Sequence, residues 1–330
     1  MPTNLFPACL IVLILAGAAS AQTHLPLESE PTSAGLQGDY WQQPLNYNQT
    51  RLDRVVVDLG TIGLIRETPD DQVIAVDENA VPILNADSLQ GSMQFGFKAM
   101  VDVLDVRPWF GGTDLQLGYF GINSLDAGAR VSALEVNSVF FQAFPLNPPT
   151  AFDFSYSTNL YSGEANLRFG SRNRLRPIAG LRYLKLEDTY DVFESSSGSR
   201  TGFYSLTNNS LFGGQFGLEG DLWQTRRVNF YGFGKVGAMH NEVEGSATAQ
   251  NAYKEFSDST YTTLVDAGTG AIIRFAGPLS FKVGYRSLFA SALALGIDQN
   301  EAISIFPGPN TVKFNSQHWH GVDLAAVFQF

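Results

Sequence analysis

Cysteine is nearly missing from this chain of 330 residues: the single one, Cys9, lies at the edge of an apolar N-terminal run. If that run is removed on export, the mature chain has no disulfide, no cysteine–metal centre and no thiol nucleophile. Positive charge is also scarce. Against 32 Asp and Glu stand 21 Lys and Arg, a formal net charge of −11. That sign excludes an ordinary nucleic-acid binder, which needs a basic face to displace phosphate counterions. Charged residues make up 16% of the chain, below the roughly 25% of soluble globular domains. The 12% aromatic content argues against intrinsic disorder. No apolar run of about 18 residues follows the first 21, so no bundle of membrane helices is expected. Nucleotide-binding glycine loops in a βαβ setting, HExxH and GxSxG are all missing.

The N-terminus fits an export signal. Leu10 to Ala18 is apolar, and Ala19-Ser20-Ala21 offers the small residues that signal peptidase accommodates before Gln22. Cleavage is expected after Ala21, although no Lys or Arg precedes the apolar run. Residues 22–53 are polar, contain Pro26, Pro31 and Pro44, and read as a periplasmic arm or linker.

From residue 54 onward the dominant period is two. Met93, Phe95, Phe97, Ala99, Val101 and Val103 share one face against Gln94, Lys98 and Asp102. Phe212, Phe216, Leu218 and Leu222 alternate with Gln215, Glu219 and Asp221, and Leu279, Phe281, Val283 and Tyr285 with Ser280, Lys282 and Arg286. Such alternation suits either a half-buried soluble sheet or a barrel in lipid. Connection lengths separate the two. Strands are expected near 55–66, 92–104, 113–125, 154–169, 175–188, 203–222, 228–243, 260–275, 279–291 and 320–330. The links between them alternate long (67–91, 126–153, 189–202, 244–259, 292–319) with short (105–112, 170–174, 223–227, 276–278). That rhythm belongs to an up-and-down transmembrane barrel with short periplasmic turns and long external loops. About ten strands are expected over 54–330, with eight or twelve as alternatives because the first strand is smeared over Val55, Val56 and Val57.

Charge placement follows the same division. Loop 67–91 carries Glu67, Asp70, Asp71, Asp77, Glu78 and Asp87 with no base, whereas Arg107, Arg172, Arg174, Arg226 and Arg227 fall in the short turns. The acid can be plain solvation or a surface where divalent cations bridge to anionic lipid. Register follows from energy: slipping strand 93–103 by one residue would point Lys98 at lipid, costing about 2–4 kcal/mol near the midplane. The expected lumen-lining set is therefore Lys98, Arg168, Arg182, Lys235, Arg274, Lys282 and Arg286 with Asp102, Asp114, Glu164, Glu219, Asp221, Asp266 and Asp323. Equal numbers of each sign suit a lumen closed by ion pairs, since an unpaired buried charge is expensive. Ten strands then leave at most a narrow path.

The last ten residues place Val322, Leu324, Ala326, Phe328 and Phe330 on alternate positions and end on an aromatic. This ending looks like the signal read by the outer-membrane assembly machinery. Two interior stretches, Gly180-Leu181-Arg182-Tyr183-Leu184-Lys185-Leu186-Glu187-Asp188 and Thr207-Asn208-Asn209-Ser210-Leu211-Phe212-Gly213-Gly214-Gln215-Phe216-Gly217, together with that strand resemble the beta barrel porin-7 family over roughly residues 150–330. The resemblance implies a Gram-negative outer-membrane barrel and brings no catalytic set.

The chain has four histidines, the side chains best suited to metal or acid–base chemistry. His240, His318 and His320 are candidates for a rim metal site, because imidazole suits zinc or copper. Aromatic and histidine side chains at a membrane interface ordinarily serve as anchors, and no metal or cofactor is assigned. Asp266 or Asp298 with the same histidines could form a rim hydrolase, but no motif fixes their geometry. The expected function is a non-enzymatic outer-membrane barrel, porin-like or structural, with a narrow charge-lined lumen passing at most small solutes or ions. Its expected partners are outer-membrane lipid, the assembly machinery and divalent cations, and not nucleic acid. The alternatives are a surface hydrolase at the barrel rim and a secreted soluble β-sandwich binding protein.

Overall fold

The protein is described from a computed structural model covering residues 55–67, 73–76, 82–85, 91–107, 112–133, 137–138, 150–170, 174–194, 201–249, 252–275, 278–299 and 312–330. The leader expected over 1–21, the arm over 22–53 and most of loop 67–91 lie outside the described residues.

Alternation becomes strand almost throughout. In chain order the strands are β1 (Val55–Arg66), β2 (Val73–Val76), β3 (Pro82–Asn85), β4 (Gln94–Arg107), β5 (Thr113–Ile122), β6 (Ala127–Ala133) and β7 (Asn137–Ser138). There follow β8 (Thr150–Phe169), β9 (Leu175–Glu194), β10 (Thr201–Gln224), β11 (Val228–Ala249), β12 (Ala252–Arg274), β13 (Leu279–Leu293) and β14 (Asn315–Gln329). Eleven of them form one antiparallel sheet in the order β5-β4-β1-β14-β13-β12-β11-β10-β9-β8-β6, and the β5–β8 pairing closes ten of these into a barrel. Closure leaves no free edge, which lets strands cross a bilayer with every backbone group paired. At the seam between the chain's two ends, Val55 and Phe330 exchange backbone hydrogen bonds of 2.9 and 3.3 Å. The short strands β2, β3 and β7 make a separate three-stranded sheet.

One strand is broken. The third was expected to run to 125, but β5 stops at Ile122 and Ser124 takes φ 57°. The Ser124 amide donates to Asn159 Oδ1 at 2.9 Å, which holds this left-handed residue in place. The chain then resumes as β6, which pairs with β8 above the end of β5.

The strands are also longer than expected at the loop end. In the loops expected over 189–202 and 244–259, β9 continues to Glu194, β10 begins at Thr201, and β11 and β12 stay paired as far as Ala249 and Ala252. Strands β8 to β12 thus rise as a wall above the shorter strands on the other side. The alternation fades there because the wall leaves the greasy belt, and polar residues occupy its outer face.

That belt is the fold's outward signature. Phe95, Phe97, Leu117, Tyr119, Leu181, Tyr183, Phe212, Phe216, Phe281 and Val283 all face outward and are exposed, Phe216 most of these at 68%. On β10 the belt runs from Phe212 to Leu222, ten steps at about 3.4 Å. With a strand tilt of about 40° this gives a height of roughly 26 Å, close to the roughly 25 Å apolar band of a transmembrane barrel.

Candidate functional site

Pointing the apolar side chains outward forces the alternate residues inward, and the lumen at belt height is ionic. Three groups fill it. Lys98 Nζ donates to both oxygens of Asp323 at 2.8 and 2.6 Å and lies 3.7 Å from Asp58, which also accepts from Lys282 at 3.1 Å. Arg168 lies 3.2 Å from Asp102, 3.5 Å from Asp114 and 3.1 Å from Glu219, and Arg176 reaches Glu219 at 3.0 Å. Asp266 bridges Arg182 at 2.7 Å and Arg286 at 2.6 and 2.8 Å, beside a Lys235–Glu164 pair at 2.8 Å. The guanidinium of Arg286 stands 4.8 Å from the Phe120 ring. In a low-dielectric interior such groups persist only when both signs and their hydrogen bonds are matched.

Twelve of the fourteen expected lining residues fall into these groups. The other two do not. Arg274 is exposed at the turn end, because β12 leaves the lumen there. Asp221 is half-buried and accepts from the Asn229 side chain at 2.7 Å instead of from a base. Two members were missed. Asp58 sits behind the Val55-Val56-Val57 run that smeared the first strand, and Arg176 is the second residue of its strand, where alternation has barely begun.

Above the ionic layer the lumen changes character. Ile62, Leu160, Leu184, Leu211, Leu264 and Trp319 are fully buried inside the barrel and belong to one apolar cluster. Strand β9 shows the switch: Leu181 and Tyr183 face out around Arg182, then Leu184 and Leu186 face in between Lys185 and Glu187. Below the switch the barrel is greasy outside and charged inside. Above it the wall is polar outside and apolar inside, as in a soluble protein. The expected charge-lined path is thus interrupted by an apolar layer.

The mouth at the wall end is then stoppered by the chain itself. After β13, residues 294–299 turn inward, with a 3-10 turn at Gly296–Asp298, and Ala294 to Gln299 are buried. Wall side chains hold this segment by its backbone. Asn209 bonds both the amide and the carbonyl of Ala294 at 2.8 Å, Thr207 donates to that carbonyl at 2.9 Å, and Thr262 donates to Ala292 O at 2.6 Å. The Gly296 amide donates to Asp188 Oδ2 at 2.7 Å. Asp188 also accepts from Arg66 at 2.8 Å, from Thr158 at 2.6 Å and from the Tyr156 hydroxyl. Arg66 lies 4.1 Å over the Tyr156 ring and donates to Gln317 at 2.8 Å. Beside them, burial pushes the Asp298 carboxyl up to about 6, against the opposing pull of Lys313 and Arg66. A signal for the stopper existed: Leu293, Leu295 and Ile297 are greasy residues within an expected external loop.

The histidines are not gathered into one site. His318 and His320 face outward on β14, His318 Nδ1 at 2.9 Å and His320 Nε2 at 3.7 Å from Glu67, and His318 Nε2 is 2.7 Å from Ser287 Oγ. His240 faces outward on β11 and packs on Tyr261 at 5.5 Å. Two strands, β12 and β13, separate it from the other pair, so neither the three-histidine rim site nor its pairing with Asp266, which lies inside, can form. Among the described residues no cluster of His, Cys, Asp and Glu is arranged to hold a metal ion. Of the C-terminal residues, Leu324 and Phe330 are exposed, and Val322, Ala326 and Phe328 are half-buried on the same outward face.

No family model matches the chain, and no curated protein matches it in sequence. Solved structures do. The outer membrane protease OmpT from Escherichia coli aligns over 84% of this chain and 97% of its own, with a TM-score of 0.50 and 7% identity. The toluene transporters TodX of P. putida and TbuX of Ralstonia pickettii align over 85% and 88% of this chain and 91% and 92% of their own. Their TM-scores are 0.34 and 0.25, at 10% and 9% identity. At these identities a likeness reports architecture and not chemistry. The ten-stranded closed barrel with its apolar belt has the fold of an outer-membrane β-barrel protein.

Proposed function

We propose that this chain is a structural component of a Gram-negative outer membrane, a barrel with a sealed lumen and no catalytic role. One observation supports it above all: the lumen is filled in sequence by ion pairs, an apolar layer and the inserted segment 294–299. A general porin needs an aqueous path, which about sixteen strands supply and ten do not. In this reading the wall β8–β12 stands outside the cell, and both chain ends of the barrel face the periplasm. The leader of residues 1–21 directs export, and the final strand is read by the assembly machinery through Val322, Leu324, Ala326, Phe328 and Phe330. Lipid surrounds the belt, and divalent cations bridge the acidic loop 67–91 to the surface. Membership of the beta barrel porin-7 family rests on the two interior stretches and the last strand alone.

Planar-bilayer recording of the purified protein tests this. No unit conductance is expected near neutral pH; discrete steps would replace the sealed reading with a narrow pore. Alanine at His318 and His320 is expected to leave lipid and peptide hydrolysis assays unchanged.

A further inference from the structure

At the turn end the surface carries the opposite charge from the loop end. Arg226 and Arg227, in the turn 225–227 between β10 and β11, are exposed, as is Arg274 at the end of β12. The backbone joins the two turns: the Arg274 amide donates to Arg227 O at 2.8 Å. Among the described residues neither Arg226 nor Arg227 has a carboxylate within ion-pair distance. The nearby acids look inward, Glu219 to Arg168 and Arg176 and Asp221 to Asn229. Among the described residues Arg274 has a neutral neighbour and no carboxylate partner: the Gln224 amide oxygen, when turned toward it, lies at 3.0 and 3.1 Å.

The depth of these groups is marked by aromatics. Trp223, the last residue but one of β10, and Phe230, the third of β11, stack at 5.3 Å with Trp223 59% exposed, and Phe275 packs edge-on against Phe281 at 5.6 Å. Tryptophan and phenylalanine in this position end the apolar belt at the membrane–water boundary. Arg226 and Arg227 lie in the turn itself, past both stacked aromatics, and Arg274 ends β12 next to Phe275, so exposed guanidiniums border the boundary where lipid phosphates sit. Their planar forks bind phosphate oxygens two at a time.

We propose that Arg226, Arg227 and Arg274, above the Trp223–Phe230 stack, form a binding site for the phosphate of anionic phospholipids in the inner leaflet. It rests on the membrane reading above. The site keeps the turn end anchored at the leaflet surface while the acidic end faces out.

The probe is phosphatidylglycerol against phosphatidylcholine, offered to the full-length protein in mixed micelles and counted by native mass spectrometry. Wild type is expected to retain phosphatidylglycerol preferentially, with the preference falling as salt rises. Each arginine contributes about five-fold near a charged surface, so Arg226→Gln, Arg227→Gln and Arg274→Gln together are expected to weaken retention roughly 100-fold. Lys254→Gln, on the distant wall, is expected to change nothing. Heat-dependent gel mobility is read on every sample. If the triple variant is unfolded, the Arg226→Gln, Arg227→Gln pair and the salt titration of wild type stand in for it. Equal retention of both lipids by a heat-shifting wild type, or unchanged retention by the folded variant, overturns the site and leaves the barrel standing. Loss of the heat shift in wild type removes the membrane reading itself. Capture on isolated peptidoglycan without a lipid preference would replace the site with a cell-wall contact.

Discussion

Replacing Asp266 with Asn removes one negative charge from between two buried guanidiniums, those of Arg182 and Arg286. All three side chains are at most about 6% exposed, so water screens them little. With charge centres about 4 Å apart and an effective dielectric of about 20, each pair attracts by about 4 kcal/mol before desolvation is counted. Much of that is offset by the cost of burial, but the offset is already present in the wild type, and the variant keeps it. Breaking a buried pair by removing one partner costs about 3–5 kcal/mol. Asp266 serves two partners, whereas Glu164, the nearest other acid, is engaged by Lys235 at 2.8 Å. The expected loss for Asp266→Asn is therefore about 3–5 kcal/mol, read from guanidinium unfolding in lipid vesicles by tryptophan fluorescence and gel mobility. Adding Arg182→Met and Arg286→Met to Asp266→Leu is expected to recover most of it, because well-packed apolar groups replace a buried ion cluster at little cost. A loss below about 1 kcal/mol for Asp266→Asn would mean that the lumen wall is hydrated and its ion pairs are not what closes it.

The stopper should respond to pH through Asp298, which faces Arg66 from β1, Asp188 from β9 and Lys313 and Asn315 from the start of β14. A carboxyl raised from 3.8 to about 6 favours the protonated folded form, so its contribution is complete below about pH 4 and lost as pH rises through about 6. The shift of about two units corresponds to about 3 kcal/mol. The protection factor of the Gly296 amide, with the intrinsic pH dependence of exchange removed, is expected to fall over that window in wild type and to stay flat in Asp298→Asn. At Gly296 itself a Cβ would sit 3.2 Å from Tyr190 Cβ. Gly296→Val is thus expected to displace the segment and raise the same exchange at every pH, and protected amides would refute the insertion. On the belt, Phe216→Lys should cost about 2–4 kcal/mol of membrane stability, whereas Tyr253→Lys, on the wall above the belt, should cost under 0.5 kcal/mol. At the seam, a Cβ on Gly321 would collide with the backbone oxygen of Gly63. Gly321→Ala should therefore force β1 and β14 apart and lower the yield of heat-shifting barrel, and normal assembly would show that the seam tolerates the side chain.

What the sequence determined by itself is the belt and its register. One-sided greasy alternation, as in Phe95, Phe97 and Phe281, is dictated by lipid, a uniform solvent that reads each residue without reference to its neighbours, so it survives in a one-dimensional string. The same logic exposed Lys98, Arg168 and Asp266 as inward charges. Which acid meets which base was decided only by closure, since Lys98 and Asp323 are 225 positions apart in sequence and share a site because β1 seats between their strands. Asp58 and Arg176 escaped because they lie near strand starts, where alternation is weakest. The inversion at Tyr183-Leu184 was written in the chain, but without the height of the bilayer it reads as noise. The greasy residues Leu293, Leu295 and Ile297 hint that this loop buries itself, but where Ala294 to Gln299 seat was decided by the tertiary structure. A loop's backbone finds Asn209, Thr207 and Asp188 only after ten strands have placed those side chains around a common cavity.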